Sequence, residues 1–172
     1  MYSAELPPPR NGAQRYQRGY NGKPIITVER ATAATLAEVF DNLGPLAVRE
    51  SVLFGGLDAF TKDKLESTYV CFADTVPAAA FGMMQLSYLN DTNLVWFVGT
   101  PIVHSYMFTF IAYCKDFIAR ARAVNQKLIA AVSHEFPHSR RWLRHIGFVE
   151  GATIWLDTAE GRRPFTLMEF TP

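Results

Sequence analysis

The sequence predicts an α/β fold, a mixed twisted sheet of about six to seven strands with helices on both faces. Three observations predict it. Short apolar runs rich in β-branched and aromatic residues alternate with segments of helical periodicity. One long amphipathic segment, Val103 to Val124, lies between the apolar runs Leu94 to Val98 and Lys127 to Ser133, as a crossover helix between two parallel strands would. The segment His138 to Phe148 reads as a helix, a glycine stop and the start of a strand.

The 172 residues suffice for one domain with a sizeable core. A hydrophobic content of 49% suits a packed globule, and a net charge of +1 supplies no strong field for nucleic acid or an anionic membrane. Cys71 and Cys114 stand in apolar surroundings and read as reduced core thiols. No apolar run opens the chain, so no secretory leader is expected. No stretch reaches the roughly 20 apolar residues that span a bilayer.

Residues 1–23 read as an extended arm, because Pro7-Pro8-Pro9, Gly12, Gly19 and Asn21-Gly22 oppose regular structure. Its Arg10, Arg15, Tyr16, Arg18 and Tyr20 are residue types enriched where protein surfaces meet, so the arm is expected to dock on a partner chain. A single domain occupies residues 24–172. Ile25 to Val28 is its first strand. Thr35-Leu36-Ala37-Glu38 fits a capping box for a helix ending near Leu43, and Gly44-Pro45 breaks it. Leu46 to Phe54 is a second helix, and Leu57 to Glu66 a third helical piece beyond Gly55-Gly56. Strands follow at Tyr69 to Ala73, Ala78 to Leu89 and Leu94 to Val98, with turns at Thr75-Val76-Pro77 and Asn90 to Asn93.

In the long helix, Met107, Phe110, Ile111, Cys114, Phe117, Ile118 and Ala121 form the apolar stripe. Lys127 to Ser133 suits a buried parallel strand. In the next helix Trp142, Leu143 and Ile146 share one face, and Arg140, Arg141, Arg144 and His145 cover the other. Phe148 to Leu156, a polar turn from Asp157 to Arg163 and a strand from Phe165 to Phe170 complete the domain. Trp142 and Trp155 are expected in the core.

This order, with the helix-Gly-Phe-strand unit near its end, resembles the GNAT acetyltransferase fold over residues 24 to 170. Three stretches together resemble a narrower group, the GNAT-like proteins of short-tailed phages, which include an internal virion protein. They are Trp96-Phe97-Val98-Gly99-Thr100, the helix from Ser139 to Phe148, and Gly161-Arg162-Arg163-Pro164-Phe165. The last turn is one residue longer than that group's Gly-x-Pro-Phe.

The GNAT resemblance implies a splayed fourth strand that receives the pantetheine arm, for which Leu94 to Val98 is placed. It implies a glycine-rich phosphate cradle at the start of the long helix, where backbone N–H groups and the helix dipole would meet the pyrophosphate. This chain has Gly99-Thr100-Pro101-Ile102-Val103-His104-Ser105 there, with no second glycine and with a proline that lacks an N–H. If acetyl-CoA binds, Val98, Gly99, His104 and Ser105 would contact it. The resemblance also implies a tyrosine four residues before Gly147, where this chain has Leu143, and an asparagine where it has Phe136. No catalytic residue is therefore assigned. Glu50, Glu66 and Asp74 are the acids nearest the acceptor side and read as surface charges.

His134-Glu135-Phe136-Pro137-His138 matches His-Glu-x-x-His literally, but Pro137 belongs at a helix start and separates the two histidines, so no metal site is expected. The expected function is a virion-associated phage structural protein on a catalytically degenerate GNAT-like fold. It needs no cofactor, resides in the virion after assembly in the host cytoplasm, and contacts other virion proteins or further copies of itself. The alternative is an acetyl-CoA-dependent N-acetyltransferase. A nucleic-acid binder using Arg140, Arg141, Arg144, His145, Arg162 and Arg163 is a second alternative, which the near-neutral total charge disfavours.

Overall fold

The computed structural model describes residues 25–59, 67–87, 92–122 and 127–170. Its first strand is β1 (Ile26–Arg30), followed by the helices α1 (Ala33–Asp41) and α2 (Pro45–Leu53) and a 3-10 turn at Gly56–Ala59. The strands β2 (Thr68–Ala73), β3 (Val76–Ser87) and β4 (Thr92–Gly99) form a meander. The helices α3 (Ile102–Ser105) and α4 (Met107–Arg122) lead to β5 (Lys127–Ser133). Then come α5 (Pro137–Ile146), β6 (Val149–Thr158) and β7 (Gly161–Phe170). The sheet order is β1-β2-β3-β4-β5-β7-β6. Among the described strands only β4 and β5 run parallel, as the crossover helix between them requires.

Strand alternation assigns the helices to faces. Val70, Ala80, Trp96 and Val98 pack against Leu36 and Val39 of α1. Their neighbours Tyr69, Cys71, Phe81 and Phe97 turn the other way and pack with Val103 of α3 and Phe110 of α4. On the α1 face, Phe54 at the end of α2 meets Phe165 of β7 edge-on, with ring centroids 5.5 Å apart. On the opposite face, Ile118 and Ala121 of α4 and Ile146 of α5 join Leu128, Ala130, Val132 and Met168.

Several local expectations shift. The capping box lies three residues upstream. Thr32 is the N-cap and accepts from the Thr35 N–H at 3.1 Å, while Thr35 Oγ1 accepts from the Thr32 N–H at 2.9 Å. Thr35 is thus the reciprocating residue at the third helical position. The expected single long helix is broken at Tyr106, whose backbone leaves the helical region at φ −125°, ψ 29°. The Tyr106 carbonyl then accepts from Thr109 and Phe110 and restarts the helix as α4. The Thr75-Val76-Pro77 turn is tighter than expected. Asp74 takes a positive φ of 56°, and β3 already begins at Val76. The third helical piece is described only as the 3-10 turn, since residues 60–66 lie outside the described residues, as does the arm. Trp142 is half-buried between the two clusters on the α4 face. Trp155 is 57% exposed and is not a core residue, since β6 lies at the edge of the sheet.

Gly147 ends α5 at φ 110°, and a Cβ there would fall 2.7 Å from the Phe170 ring. Both facts restrict the position to glycine.

Phe165 is completely buried where α2 meets the sheet. Phe165→Ala should lower unfolding stability by about 3–5 kcal/mol in urea titrations. A loss below about 1 kcal/mol would show that α2 does not pack on β7 as described.

Candidate functional site

The site begins where the sheet opens. β4 and β5 pair over three residues only, Thr92–Lys127, Asn93–Leu128 and Leu94–Ile129. Beyond them, among the described residues, β4 is paired with β3 alone as far as Gly99, and β5 with β7 alone as far as Ser133. The two strands part toward their C-terminal ends, leaving a wedge flanked by α3, α4 and α5.

The chain's own side chains reach across that wedge. On the α4 face, the Trp142 indole of α5 stacks on the Phe97 ring of β4, with centroids 5.9 Å apart and planes at 23°. At the same end of the sheet, Ser139 Oγ of α5 donates to Glu50 Oε2 of α2 at 2.9 Å. Because α2 and α5 cover opposite faces, this bond joins the two helical layers where β4 and β5 have separated. Burial raises the Glu50 carboxyl above its ordinary range, partly offset by the Ser139 hydroxyl, which favours the charged form. Glu50 is therefore not the solvated surface acid the sequence suggested. Asp74 is exposed and accepts from the Ile25 N–H at 2.9 Å, a turn role. Glu66 lies outside the described residues.

The segment after β4 is closed on itself. The Thr100 N–H donates to the Ala78 carbonyl at 2.8 Å, and its hydroxyl donates to the Pro77 carbonyl at 3.1 Å. Pro101 has no N–H. The Val103 and His104 N–H groups turn back to the Thr100 and Pro101 carbonyls, each at 3.1 Å. Above Gly99, a Cβ would lie 3.0 Å from Val103 Cγ2 and 3.1 Å from Phe97 Cε1. The structure thus brings Val98 and Gly99 to the end of β4 and puts His104 and Ser105 on the exposed side of α3. His138 at the start of α5 lies close enough to His104 for their charges to interact. Burial, and then that proximity, push the His138 imidazole below its ordinary value.

An ionic clasp runs beside these residues. The Glu135 carboxylate, in the turn after β5, meets Arg49 of α2 at 2.7 Å and Arg163 of β7 at 3.5 Å. Glu135 is thereby engaged by arginines, and His134 and His138 fall on a turn and on a helix respectively. Among the described residues, no three His, Cys, Asp or Glu side chains could jointly hold a metal ion. Behind the clasp lies a cavity of about 350 Å³ between the end of α2 and the β6–β7 hairpin. Leu53, Phe54, Leu156 and Phe165 form its apolar walls, and Asp157 is its one charged lining residue. Glu50, Leu53 and Phe54 share a face of α2 through their i, i+3 and i+4 spacing.

The arrangement has solved counterparts. A spermidine N-acetyltransferase chimera from Vibrio cholerae and hSSAT superposes with a TM-score of 0.64 at 13% identity, covering 84% of this chain and 94% of that one. A putative acetyltransferase from Salmonella typhimurium, solved with its cofactor acetyl-CoA, gives 0.62 at 16% identity over 85% and 93% of the two chains. A GNAT-family acetyltransferase from Bacillus anthracis gives 0.62 at 10% identity over 84% and 93%. The fold is that of the GNAT acetyltransferases. Such identities show the fold alone, and neither a protein-family model nor a curated protein matches the sequence.

Within a GNAT frame the parted β4 and β5 form the wedge that the sequence resemblance implied. The phosphate cradle does not fit. Its Thr100, Val103 and His104 amides are engaged by the chain's own carbonyls, one donor is missing at Pro101, and the space over Gly99 is filled by Phe97 and Val103. Leu143 is half-buried and packs against the core, without a proton to give. The sequence reading missed the Glu50–Ser139 bond and the Phe97–Trp142 stack. Ser139 did carry a signal, because it shares the i, i+3, i+4, i+7 face of Trp142, Leu143 and Ile146. A hydroxyl on an apolar helical stripe calls for a partner. The Nε of Arg140 is buried without a hydrogen-bond partner among the described residues.

Glu50 sets a pH dependence. Its pKa is raised on folding above 4.5, so the folded state holds the proton more tightly than the unfolded chain. That contribution is complete below the unfolded pKa and is lost as pH rises through the folded one. Glu50→Gln removes the charge and keeps the Ser139 partner. The variant should therefore raise the thermal midpoint at neutral pH and match the parent below pH 4.5. A midpoint lowered at neutral pH would show that the carboxylate stabilises the site.

Proposed function

We propose that this chain is a virion-associated protein of a short-tailed phage, assembled in the host cytoplasm, in which a GNAT fold serves protein contacts rather than acetyl transfer. The observation that carries the non-catalytic part is the self-occupied segment after β4. Tight binding of a pyrophosphate there needs several free N–H groups converging on one point. Here the Thr100, Val103 and His104 amides face the chain's own carbonyls. The Phe97–Trp142 stack and the Glu50–Ser139 bond join elements on either side of the wedge, so a pantetheine arm would have to displace both. The phage part rests on the three sequence stretches at Trp96–Thr100, Ser139–Phe148 and Gly161–Phe165. Isothermal titration tests the reading. No saturable heat at millimolar acetyl-CoA is expected, and micromolar saturable binding would overturn it.

One observation favours acetyl transfer to an amine as a second reading. Glu50 is a partly desolvated carboxylate one turn of α2 from an apolar cavity, and burial, which raises its pKa, makes it a stronger base than a solvated carboxylate. The cavity would take an ammonium group at Asp157. The C-terminal end of α2, whose partial charge is negative, adds to that preference. On this reading, thiol release from acetyl-CoA would depend on amine and fall at least tenfold in Glu50→Gln.

The arm is assigned to partner binding on its composition, through Arg10, Arg15, Tyr16, Arg18 and Tyr20. Deleting residues 1–22 should leave the thermal midpoint of the domain nearly unchanged and reduce incorporation into particles. A sharp fall in midpoint with incorporation intact would assign the arm to its own domain.

A further inference from the structure

β6 closes one side of the sheet as a ten-residue edge strand. Among the described residues its only strand neighbour is β7. A strand in that position offers a row of backbone N–H and C=O groups to any strand that comes alongside. Natural edges are usually blunted with lysine or proline, and Val149 to Thr158 contains neither. The edge instead carries Trp155, 57% exposed, where an isolated domain gains nothing from a large aromatic in water.

The strand has two halves. A bulge between Glu150 and Thr153 distorts the first. From Thr153 to Thr158 the pairing with β7 is regular, residue by residue, from Thr166 to Gly161. A partner strand would therefore seat on the second half, and Trp155 lies near its middle.

We infer that the Ala152–Thr158 half of β6 pairs with the same segment of a second copy of this chain, antiparallel across a twofold axis at Trp155. The occupant follows from the strand's own pattern. A twofold axis perpendicular to the sheet runs the two edges antiparallel and leaves each face continuous with its counterpart. Residues facing the same side must then meet, so the residue numbers of each pair add to an even total. In the register centred on Trp155, the two indoles oppose each other on the α5 side. Ile154 meets the partner's Leu156 on the α2 side, and Thr153 meets the partner's Asp157. Aromatic and aliphatic pairs of this kind stabilise antiparallel ladders. No like charges are directly opposed, and Glu150, held by Arg144 at 3.0 Å, lies outside the paired segment. A register centred on Ile154 brings Gly151 against the partner's Asp157 and separates the two indoles. The other edge, β1, has five residues and ends in exposed Glu29 and Arg30. Joining β1 to β6 would propagate an open fibre, whereas β6 on β6 closes as a dimer.

This inference adds a self-contact to the protein-contact reading and is independent of whether acetyl-CoA binds. The test uses the full chain. Light scattering after size exclusion should give the dimer mass, and Trp155→Lys, which opposes two ammonium groups at the axis, should give the monomer mass. Trp155→Cys should cross-link to a dimer on mild oxidation, because only a residue on the axis faces itself. Thr153→Cys should not, since it faces the partner's Asp157. The native Cys71 and Cys114 contribute little background, as burial pushes both thiols up, Cys114 to about 12. A monomer mass for the parent overturns the inference. So does a dimer that survives Trp155→Lys without cross-linking through Trp155→Cys. A dimer that also binds acetyl-CoA would retire the non-catalytic reading and leave this interface standing.

Discussion

The three-residue pairing of β4 with β5 is the constraint on which the rest of the structure depends. A parallel pair needs a crossover, and the α3–α4 crossover fixes where both helical layers lie. Once the strands part after Leu94 and Ile129, their facing backbone groups and the space between them must be dealt with. Side chains meet beside the wedge. Trp142 of α5 covers Phe97, and Ser139 of the same helix reaches Glu50 in the opposite layer.

The wedge contacts are linked through α5. Pro137 starts that helix, Gly147 stops it, and its buried face presents Ser139, Trp142, Leu143 and Ile146 in consecutive turns. The same helix therefore supplies both the apolar and the polar contact at the wedge. The Glu135 clasp then ties the turn before α5 to α2 through Arg49 and to β7 through Arg163. These exposed ion pairs contribute little each, about 0–1 kcal/mol, beside the buried Phe165 and Phe136 in the same core cluster.

Much of the fold was legible because periodicity reports which face of an element is apolar. The strand at Lys127 to Ser133, the helix ending at Gly147 and the parallel crossover all follow from period and punctuation. Trp155 was misread for a topological reason. Its strand alternates like a core strand, and only the sheet order, with β6 outside β7, puts it at the sheet edge, where Trp155 is exposed. The break at Tyr106 was hidden because the apolar stripe of α4 continues across it. Part of the site was legible in the sequence, in Leu143 and Pro101. Its positive content was not, since Glu50 and Ser139 are separated by 89 positions and meet only through the packing of two layers.

Amide hydrogen exchange over Val95 to Ser105 tests most directly whether the β4 edge is already covered. Exchange rates in that stretch should be the same with and without saturating acetyl-CoA. Slower exchange there in the presence of the cofactor would show that it enters between β4 and β5, and would contradict the account.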